Sequence, residues 1–364
     1  MGTLLGNYYI DGKVFESNYE GMKKDREYSR NLSGREINSD LFSETIEAYS
    51  KIPFFEGRYT DTEEYQKYAR QYSEIYHIIR RVYNINNMRE ISSIKKESLN
   101  NFYTIRQNLV EKAIDNTYMT EKEKVSSINL SRKVNIPFIY SYTGGYNRFF
   151  ATMYPVAFLI CFICTICISP LFAGEYSERM DSLIFSSKYG KSKMIWAKIF
   201  TGISFTVLIC IVFTIVSYLT VMIFFGWDGI DSPIQLLFPL SIVPFTMGQI
   251  ALLYSILILF GNLLSSSLTM VLSAKLKSPF IVLAIMTAIT IIPGFINASE
   301  DVLWIYHLYN LIPARMFNIT NIISIYSIDF LGLTLQPYVF IISFAIIASI
   351  TLVPLVYRTY KKVN

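Results

Sequence analysis

The sequence predicts an all-α polytopic membrane protein, with about five transmembrane helices behind a mostly helical water-facing domain. Hydrophobic residues make up 52% of the 364 positions, and the mean hydropathy is +0.34. The charge is uneven: residues 1–148 hold 22 Lys and Arg and 20 Asp and Glu, whereas the remaining 216 residues hold 11 and 8. Because charge is costly in hydrocarbon, the membrane-embedded part should begin at residue 149.

Five apolar runs follow this boundary, and a helix needs about 20 such residues to cross the hydrocarbon core. We predict spans at residues 150–172, 199–225, 246–272, 279–296 and 338–356. The third run begins near Ile234 and is too long for one crossing. It contains Pro239 and Pro244, so we expect a short entry segment before the span.

The loops alternate in charge. Ten Lys and Arg fall in residues 173–198, the Lys275–Lys277 loop and the C-terminal tail, whereas the other two loops carry only Arg315. The positive-inside rule then predicts a cytoplasmic C-terminus and an extracytoplasmic domain at residues 1–148. No signal peptide is visible, so we expect a sixth, N-terminal helix to be missing ahead of Met1. The alternative is a cytoplasmic front domain.

The front domain shows helical periodicity. One apolar stripe comprises Tyr65, Tyr68, Tyr72, Ile75, Ile79 and Val82, and a second comprises Phe102, Ile105, Leu109 and Ala113. Thr60 with Glu63 and Thr120 with Glu123 have capping-box spacing. The Gly144-Gly145 pair should break the chain before the membrane. We expect the many tyrosines to pack the core, although exposed tyrosines could also bind a ligand.

The sequence favours neither catalysis nor metal binding. It lacks a phosphate-binding loop and the H-E-x-x-H motif. Cys161, Cys164 and Cys167 repeat at helical spacing inside an apolar run, where cysteine is simply a small apolar residue. We therefore expect no catalytic residue, cofactor or metal. The near-neutral front domain indicates no nucleic-acid partner. The predicted spans contain no ionisable side chain of the kind that couples ions to transport. Any transport should therefore draw its energy from another chain.

The most informative segment is the loop at residues 173–198 between the first two spans. The acidic residues Glu175, Glu178 and Asp181 come first, and Lys188, Lys191, Lys193 and Lys198 follow. Acids early and cations late suit the helix dipole. Because Glu175, Glu178 and Phe185 would share one face, we predict an amphipathic helix on the membrane surface and a turn at Gly190.

This loop resembles the one that follows the second helix in permeases of the ABC-2 family. The matching positions are Glu175 or Glu178, Leu183-Ile184, Gly190-Lys191 and Ala197-Lys198. The family commonly has Gly where Arg179 stands. A large external domain between the first two helices and a Leu-Pro element, here in residues 308–315, complete the likeness. The resemblance covers residues 150–364, and the front domain only by position and size.

The resemblance implies that two permeases, identical or different, pair above two cytoplasmic ABC ATPase subunits, with this loop as the coupling helix. Glu175, Glu178, Arg179 and Asp181 would then face the ATPase. Lys188, Lys191, Lys193 and Lys198 would face anionic lipid headgroups of the bilayer. Alternatively, these charges only fix the topology of the chain.

We therefore predict a multi-pass plasma-membrane permease subunit of an ATP-driven ABC exporter, with no ATPase of its own. By analogy the cargo would be a peptide antibiotic or a lipid-like molecule. One alternative is a membrane sensor or scaffold whose extracytoplasmic domain binds a ligand. Another is a lipid-modifying enzyme, which would need a polar cluster in the bundle. The one such cluster comprises Gln249, Asn262, Ser265, Ser266 and Ser267, and its spacing suits hydrogen bonds between helices better.

Overall fold

The computed structural model describes residues 8–10, 13–15, 18–53, 59–296, 298 and 301–362. Over these residues the chain is mostly α-helical, with two short β-hairpins, and the predicted all-α fold class is confirmed. The chain divides into two compact units. Unit 1 contains residues 1–150, 219–251 and 323–326, and unit 2 contains residues 151–218, 252–322 and 327–364.

Unit 1 begins with an antiparallel hairpin, which the sequence patterns did not predict. Its strands are β1 (Tyr8–Ile10) and β2 (Lys13–Phe15). The α-helices that follow are α1 (Asn18–Arg30), α2 (Ser39–Ser50), α3 (Ser73–Val82), α4 (Lys96–Asn100), α5 (Phe102–Asp115) and α6 (Glu121–Ser131). Tight helical turns lie at Tyr59–Asp61, Tyr65–Ala69, Arg70–Tyr72, Met88–Ser93 and Ile234–Leu236.

Aromatic packing forms the core of unit 1. The rings of Tyr49 and Tyr76 stack with centroids 4.1 Å apart, and those of Phe42 and Phe102 lie 4.5 Å apart. Tyr65 is buried as well, so these tyrosines pack the core as expected. The buried face of α5 consists of Phe102, Arg106, Val110 and Ile114. The predicted stripe through Ile105, Leu109 and Ala113 is only partly buried, one position away from the true core face.

One of the two predicted capping boxes forms. Thr120 and Glu123 cap α6 reciprocally, as predicted. The box at Thr60 is wrong, because the hydroxyl of Thr62 accepts the hydrogen bond from the Tyr65 N–H (3.2 Å) instead. The stripe over residues 65–82 is also not one α-helix. A π-helical turn and a 3-10 turn precede α3.

A buried arginine attaches α5 to a distant part of unit 1. Arg106 is 2% exposed. Its Nε donates to the carbonyl of Pro239 (2.6 Å), and its Nη2 donates to the carbonyl of Ser241 (2.7 Å). The guanidinium also stacks 5.4 Å from the ring centroid of Phe138. Burial lowers the pKa of Arg106 to about 10, so the group stays charged at neutral pH.

The second half of the chain is built on long apolar helices. Its elements are α7 (Gly144–Ile168), α8 (Pro170–Ser177), α9 (Asp181–Ser186), α10 (Lys193–Phe225), α11 (Met247–Lys275), α12 (Pro279–Phe295), α13 (Leu303–Tyr309), α14 (Pro313–Met316), α15 (Thr320–Ile323), β3 (Ile328–Phe330), β4 (Leu333–Leu335) and α16 (Pro337–Lys362). Strands β3 and β4 pair antiparallel.

Four helical segments in the described part of the chain are long and apolar enough to cross a membrane. They are Gly144–Ser177, which combines α7 and α8, Lys193–Phe225, Met247–Lys275 and Pro337–Lys361. These correspond to four of the five predicted spans. The remaining one, α12, is apolar but has 17 residues. At about 1.5 Å per residue it is shorter than a full crossing, so its span stays a prediction.

Several helices extend beyond their predicted spans. Helix α7 starts at Gly144, so the Gly144-Gly145 pair does not break the chain, contrary to our expectation. Gly145 instead allows a close backbone contact, since a Cβ there would lie 2.2 Å from the carbonyl oxygen of Gly226. Hydropathy marks the apolar part of a helix, whereas backbone hydrogen bonding continues into polar sequence. The charged first turn of α10 is an example.

The start of α11 follows the predicted entry segment. The Thr246 N–H donates to Gln249 Oε1 (3.0 Å), and the Gln249 N–H donates to Thr246 Oγ1 (3.4 Å). This reciprocal pair is a capping box, and it fixes the helix start next to the predicted position.

Replacing Arg106 tests the buried attachment. Arg106→Met keeps much of the volume but leaves the carbonyl of Pro239 without a donor and removes one of the two donors to the carbonyl of Ser241. We expect the free energy of unfolding to fall by roughly 2–4 kcal/mol, as when buried hydrogen-bonding groups lose a charged partner. Thermal unfolding of the purified chain in detergent measures this. Arg81→Met, at an exposed position of α3, is the matched control and should change stability little. Equal stability of the two variants would contradict the attachment.

Candidate functional site

The loop at residues 173–198 lies in unit 2 and contains two short helices. Pro170 occupies the first turn of α8, where its missing N–H costs no hydrogen bond. Helix α8 carries Glu175 and ends at Ser177. The six-residue α9 follows, and α10 then begins at Lys193. The loop is therefore divided into separate helical turns.

Arg179 marks the break between α8 and α9. Its φ is +57°, in the left-handed region that favours glycine. The Met180 N–H reaches back to the carbonyl of Glu175 (2.9 Å), which is the hydrogen bond of a helix C-terminal turn. The predicted continuous amphipathic helix is therefore wrong, because the chain reverses before Asp181. A glycine would adopt this conformation without strain.

A second turn depends on Gly190, as the sequence predicted. The Gly190 N–H donates to the carbonyl of Ser187 (3.3 Å). A Cβ on Gly190 would lie only 1.9 Å from the carbonyl oxygen of Ile184. Any side chain at this position would therefore push α9 away from the start of α10.

Glu175 and Lys198 form an ion pair at the base of the loop. Their side chains are 13% and 18% exposed. Lys198 Nζ also donates to the carbonyl of Leu171 (2.5 Å), and it lies 5.2 Å from the ring centroid of Phe172. Tyr360 of α16 donates its hydroxyl hydrogen to the same carboxylate. Glu175 and Lys198 therefore neutralise each other, and neither presents a free charge to a partner.

Tyr360 is the centre of an aromatic cluster that the sequence patterns did not reveal. Its ring is fully buried and lies 4.9 Å from Phe172, 5.2 Å from Phe185 and 6.0 Å from Tyr176. These contacts connect the C-terminal end of α16 to both α8 and α9. The one available signal was an aromatic residue among the basic residues after the last span, a common pattern at membrane interfaces.

Helix α11 holds the loop from another side. The Ser273 hydroxyl accepts hydrogen bonds from the N–H groups of Phe172 (3.0 Å) and Ala173 (3.1 Å), and it donates to the carbonyl of Ser169 (2.7 Å). Three backbone groups at the junction of α7 and α8 are thus satisfied by one buried side chain. The base of the loop is fixed by α11 and α16 together.

The tip of the loop projects into solvent. Glu178, Arg179 and Met180 are exposed, and Leu183 is 68% exposed. Asp181 is partly exposed at the start of α9. Three of the four residues predicted to couple, Glu178, Arg179 and Asp181, therefore lie together at this tip. Glu175 lies apart from them, in the ion pair at the base.

The predicted basic residues also separate into two groups. Lys188, Lys191 and Lys193 are exposed. Lys188 and Lys193 lie 5.4 and 4.7 Å from the ring centroid of Tyr189, and Lys191 lies 5.3 Å from that of Phe185. Lys198 belongs to the ion pair instead.

The polar residues inside the bundle of unit 2 serve helix packing. Ser265 lies 3.2 Å from the sulfur of Cys161, and Ser266 accepts a hydrogen bond from Thr206 (2.8 Å). Asn262 donates to the carbonyl of Ile258 one turn earlier (2.9 Å). These contacts are the hydrogen bonds within and between helices that the spacing predicted. In the described ranges, no three His, Cys, Asp or Glu side chains are grouped so that they could hold a metal ion.

Comparison with known proteins gives one match. The family model described as ABC-2 family transporter protein matches residues 19–299, about three quarters of the chain. The match extends through both the front domain and the loop at residues 173–198. No curated protein and no solved structure matches the chain.

Breaking the ion pair should destabilise unit 2. Glu175→Ala leaves the ammonium of Lys198 and the hydroxyl of Tyr360 without their acceptor, so we expect the free energy of unfolding to fall by roughly 2–4 kcal/mol. The double variant Glu175→Leu, Lys198→Met should recover at least half of this loss, because it removes both charges. Thermal unfolding in detergent measures both, and Glu178→Ala is the exposed control. Glu175→Leu and Lys198→Met are also measured singly, and simple additivity of these two substitutions in the double variant would exclude the pairing.

Proposed function

Because this chain belongs to the ABC-2 family of transporter proteins, we propose that it is the permease subunit of an ATP-driven exporter. Membership of the family makes the chain a membrane component of an ABC transporter. The proposal goes further in three respects: the direction of transport, the nature of the cargo, and which side of the membrane each loop faces. The proposed coupling mechanism is supported by one observation. The loop at residues 173–198 has a base that other helices hold in place and a tip that is exposed.

We place ATP hydrolysis in a separate cytoplasmic ABC ATPase subunit. The sequence contains no G-x-x-x-x-G-K-[ST] motif that could hold the phosphates of ATP. Movement of the ATPase would therefore have to reach this chain through a protein contact. An exposed element that is firmly attached to several helices is suited to transmit such a movement.

The tip of the loop is our proposed contact with the ATPase. Glu178, Arg179 and Asp181 offer charges of both signs, and Leu183 offers an apolar group for burial in a cleft. A central apolar anchor with surrounding polar groups is the usual composition of a protein interface. Glu175 acts here as a positioning residue. Its ion pair holds α8 against the start of α10, so that displacement of the tip moves both helices.

We further propose that the apolar surface of α10 is covered by a second permease and by the surrounding lipid bilayer. Leu208, Ile215 and Val216 are 59%, 51% and 56% exposed on this helix. Apolar side chains exposed along a membrane-spanning helix must meet lipid or another helix. The exposed Lys188, Lys191 and Lys193 would meet anionic headgroups at the cytoplasmic surface.

The cargo that we propose is a peptide antibiotic or a lipid-like molecule, and the biological role is protection of the cell. This step rests on analogy with exporters that carry a large external domain. The sensor or scaffold alternative shares the front domain but needs no ATPase, so the contact with an ATPase separates the two functions.

Co-purification tests the coupling tip. We expect a cytoplasmic ABC ATPase to co-purify with the tagged full chain in detergent, and the double variant Glu178→Ala, Leu183→Ser to retain at least about tenfold less of it, as for central interface residues. The matched control is Glu121→Ala, Val125→Ser, which changes an exposed acid and an exposed apolar residue on α6. Arg179→Gly keeps the left-handed turn and removes the guanidinium, so it separates charge from conformation at this position.

The result decides between the proposed functions. If the folded wild-type chain retains no ABC ATPase, the exporter proposal fails and the sensor alternative takes its place. If the ATPase binds equally to wild type and to the tip variant, the chain remains a permease but the contact lies elsewhere.

Cysteine labelling tests the proposed sidedness. In a chain whose four native cysteines are replaced by alanine, Lys124→Cys in the front domain and Asp329→Cys in the β3–β4 hairpin should react with a membrane-impermeant maleimide on intact cells. Lys188→Cys in the coupling loop should react only after the membrane is opened. The reverse pattern would place the front domain in the cytoplasm. Labelling of all three positions in sealed cells would show that the cells leak.

A further inference from the structure

A groove of about 450 Å³ lies within unit 1. One wall is formed by residues 134–141, which follow α6, and the other by residues 229–246, which precede α11. The lining is largely apolar, with Phe138, Phe245, Ile139 and Ile230 among its members. Its volume falls in the range of about 300–1,000 Å³ that is usual for pockets of small ligands.

Gln235, one of the residues that line this groove, has a buried acceptor without a partner. Gln235 is fully buried, and its Nε2 donates to the carbonyls of Ser241 (3.1 Å) and Val243 (2.8 Å). Because both neighbours of the nitrogen are acceptors, the amide cannot be turned around. Its Oε1 is left without any hydrogen bond. A buried carbonyl oxygen without a donor is uncommon and costs stability, so this wall holds an acceptor that the described residues do not satisfy.

A carboxylate lies on the same wall. Asp231 lines the groove, is exposed, and makes no hydrogen bond or ion pair to any described residue. Asp228, only three positions earlier, differs in this respect, because Arg30 Nη2 lies 2.5 Å from its carboxylate. The loop thus contains one neutralised carboxylate away from the groove and one unpaired carboxylate within it.

The wall on which these groups lie is held rigidly. Arg106 binds the carbonyls of Pro239 and Ser241, between Gln235 and Phe245 in the chain, and does not itself line the groove. Its guanidinium stacks on Phe138, which lines the opposite wall. Two of the N–H groups of Arg106 therefore donate to this wall. The groove offers ligands an apolar surface and a carboxylate.

We infer that this groove binds a small amphiphile in which an apolar group carries a protonated amine. The apolar group packs between Phe138 and Phe245, and the ammonium donates to the carboxylate of Asp231. This inference goes beyond the proposed export function and does not rest on it, since a sensor would use the same groove.

Three naphthyl probes of nearly equal size test the inference. The full chain in phosphatidylcholine nanodiscs is titrated with 1-naphthylmethylamine, 1-naphthylmethanol and 1-naphthylacetic acid, and the signal of empty nanodiscs is subtracted. We expect saturable binding of the amine, weaker binding of the alcohol and weakest binding of the acid. Asp231→Asn should weaken the amine by roughly threefold to tenfold, as for a partly exposed charged hydrogen bond, and leave the alcohol unchanged.

Two further variants make the test specific. Asp228→Asn removes the same charge from the same loop outside the groove, so it should preserve the preference for the amine over the alcohol. Ile139→Lys places a cation in the exposed wall and should weaken binding of the amine more than binding of the alcohol. Absence of saturable amine binding, or an equal effect of Asp231→Asn and Asp228→Asn, would overturn the inference. These two outcomes would overturn the ligand groove only, because co-purification of an ABC ATPase is measured separately.

Discussion

The need to pair every backbone N–H and carbonyl group where water is absent governs this protein. In an apolar stretch of the membrane only a helix satisfies these groups within one segment, and four segments of the described chain are helices long enough to cross. The requirement becomes hardest to meet where helices end. There the structure uses buried polar side chains. Ser273 satisfies three backbone groups at the junction of α7 and α8, and Arg106 satisfies two carbonyls ahead of α11.

The pairing of polar groups within the protein also determines the structure of the proposed coupling loop. Glu175 and Lys198 neutralise each other beside the buried ring of Tyr360, so the charges nearest the helices contribute to position and not to recognition. The charges at the tip remain available because the chain turns at Arg179 and again at Gly190. A rigid base with an exposed tip is what a mechanical contact requires, since a flexible base would absorb the movement of a partner.

In unit 1, the pairing of backbone carbonyls with a buried side chain holds one wall of the groove in place. Arg106 fixes residues 239–241, and in doing so it holds one wall of the groove at a set distance from Phe138. On that wall, Oε1 of Gln235 and the carboxylate of Asp231 have no hydrogen-bond partner among the described residues. The exposed, unpaired carboxylate beside an apolar lining is the basis of the ligand that we propose for the groove. The proposed contact with an ATPase and the proposed ligand groove use separate residues, so either can be tested without the other.

The sequence by itself determined the fold class, four of the apolar spans, the Thr120 capping box, the turn at Gly190 and the family resemblance. Each of these depends on residues near one another in the chain or on the cost of charge in hydrocarbon. The tertiary structure alone decided the partners of Glu175, Arg106 and Gln235. Tyr360 is 185 positions from Glu175, and Pro239 is 133 positions from Arg106. Helical periodicity treats a charged residue as solvent-facing, so it set the core face of α5 one position away from the true one. A buried charge is stable only when the fold brings its partner to it, and that partner is invisible to any local pattern.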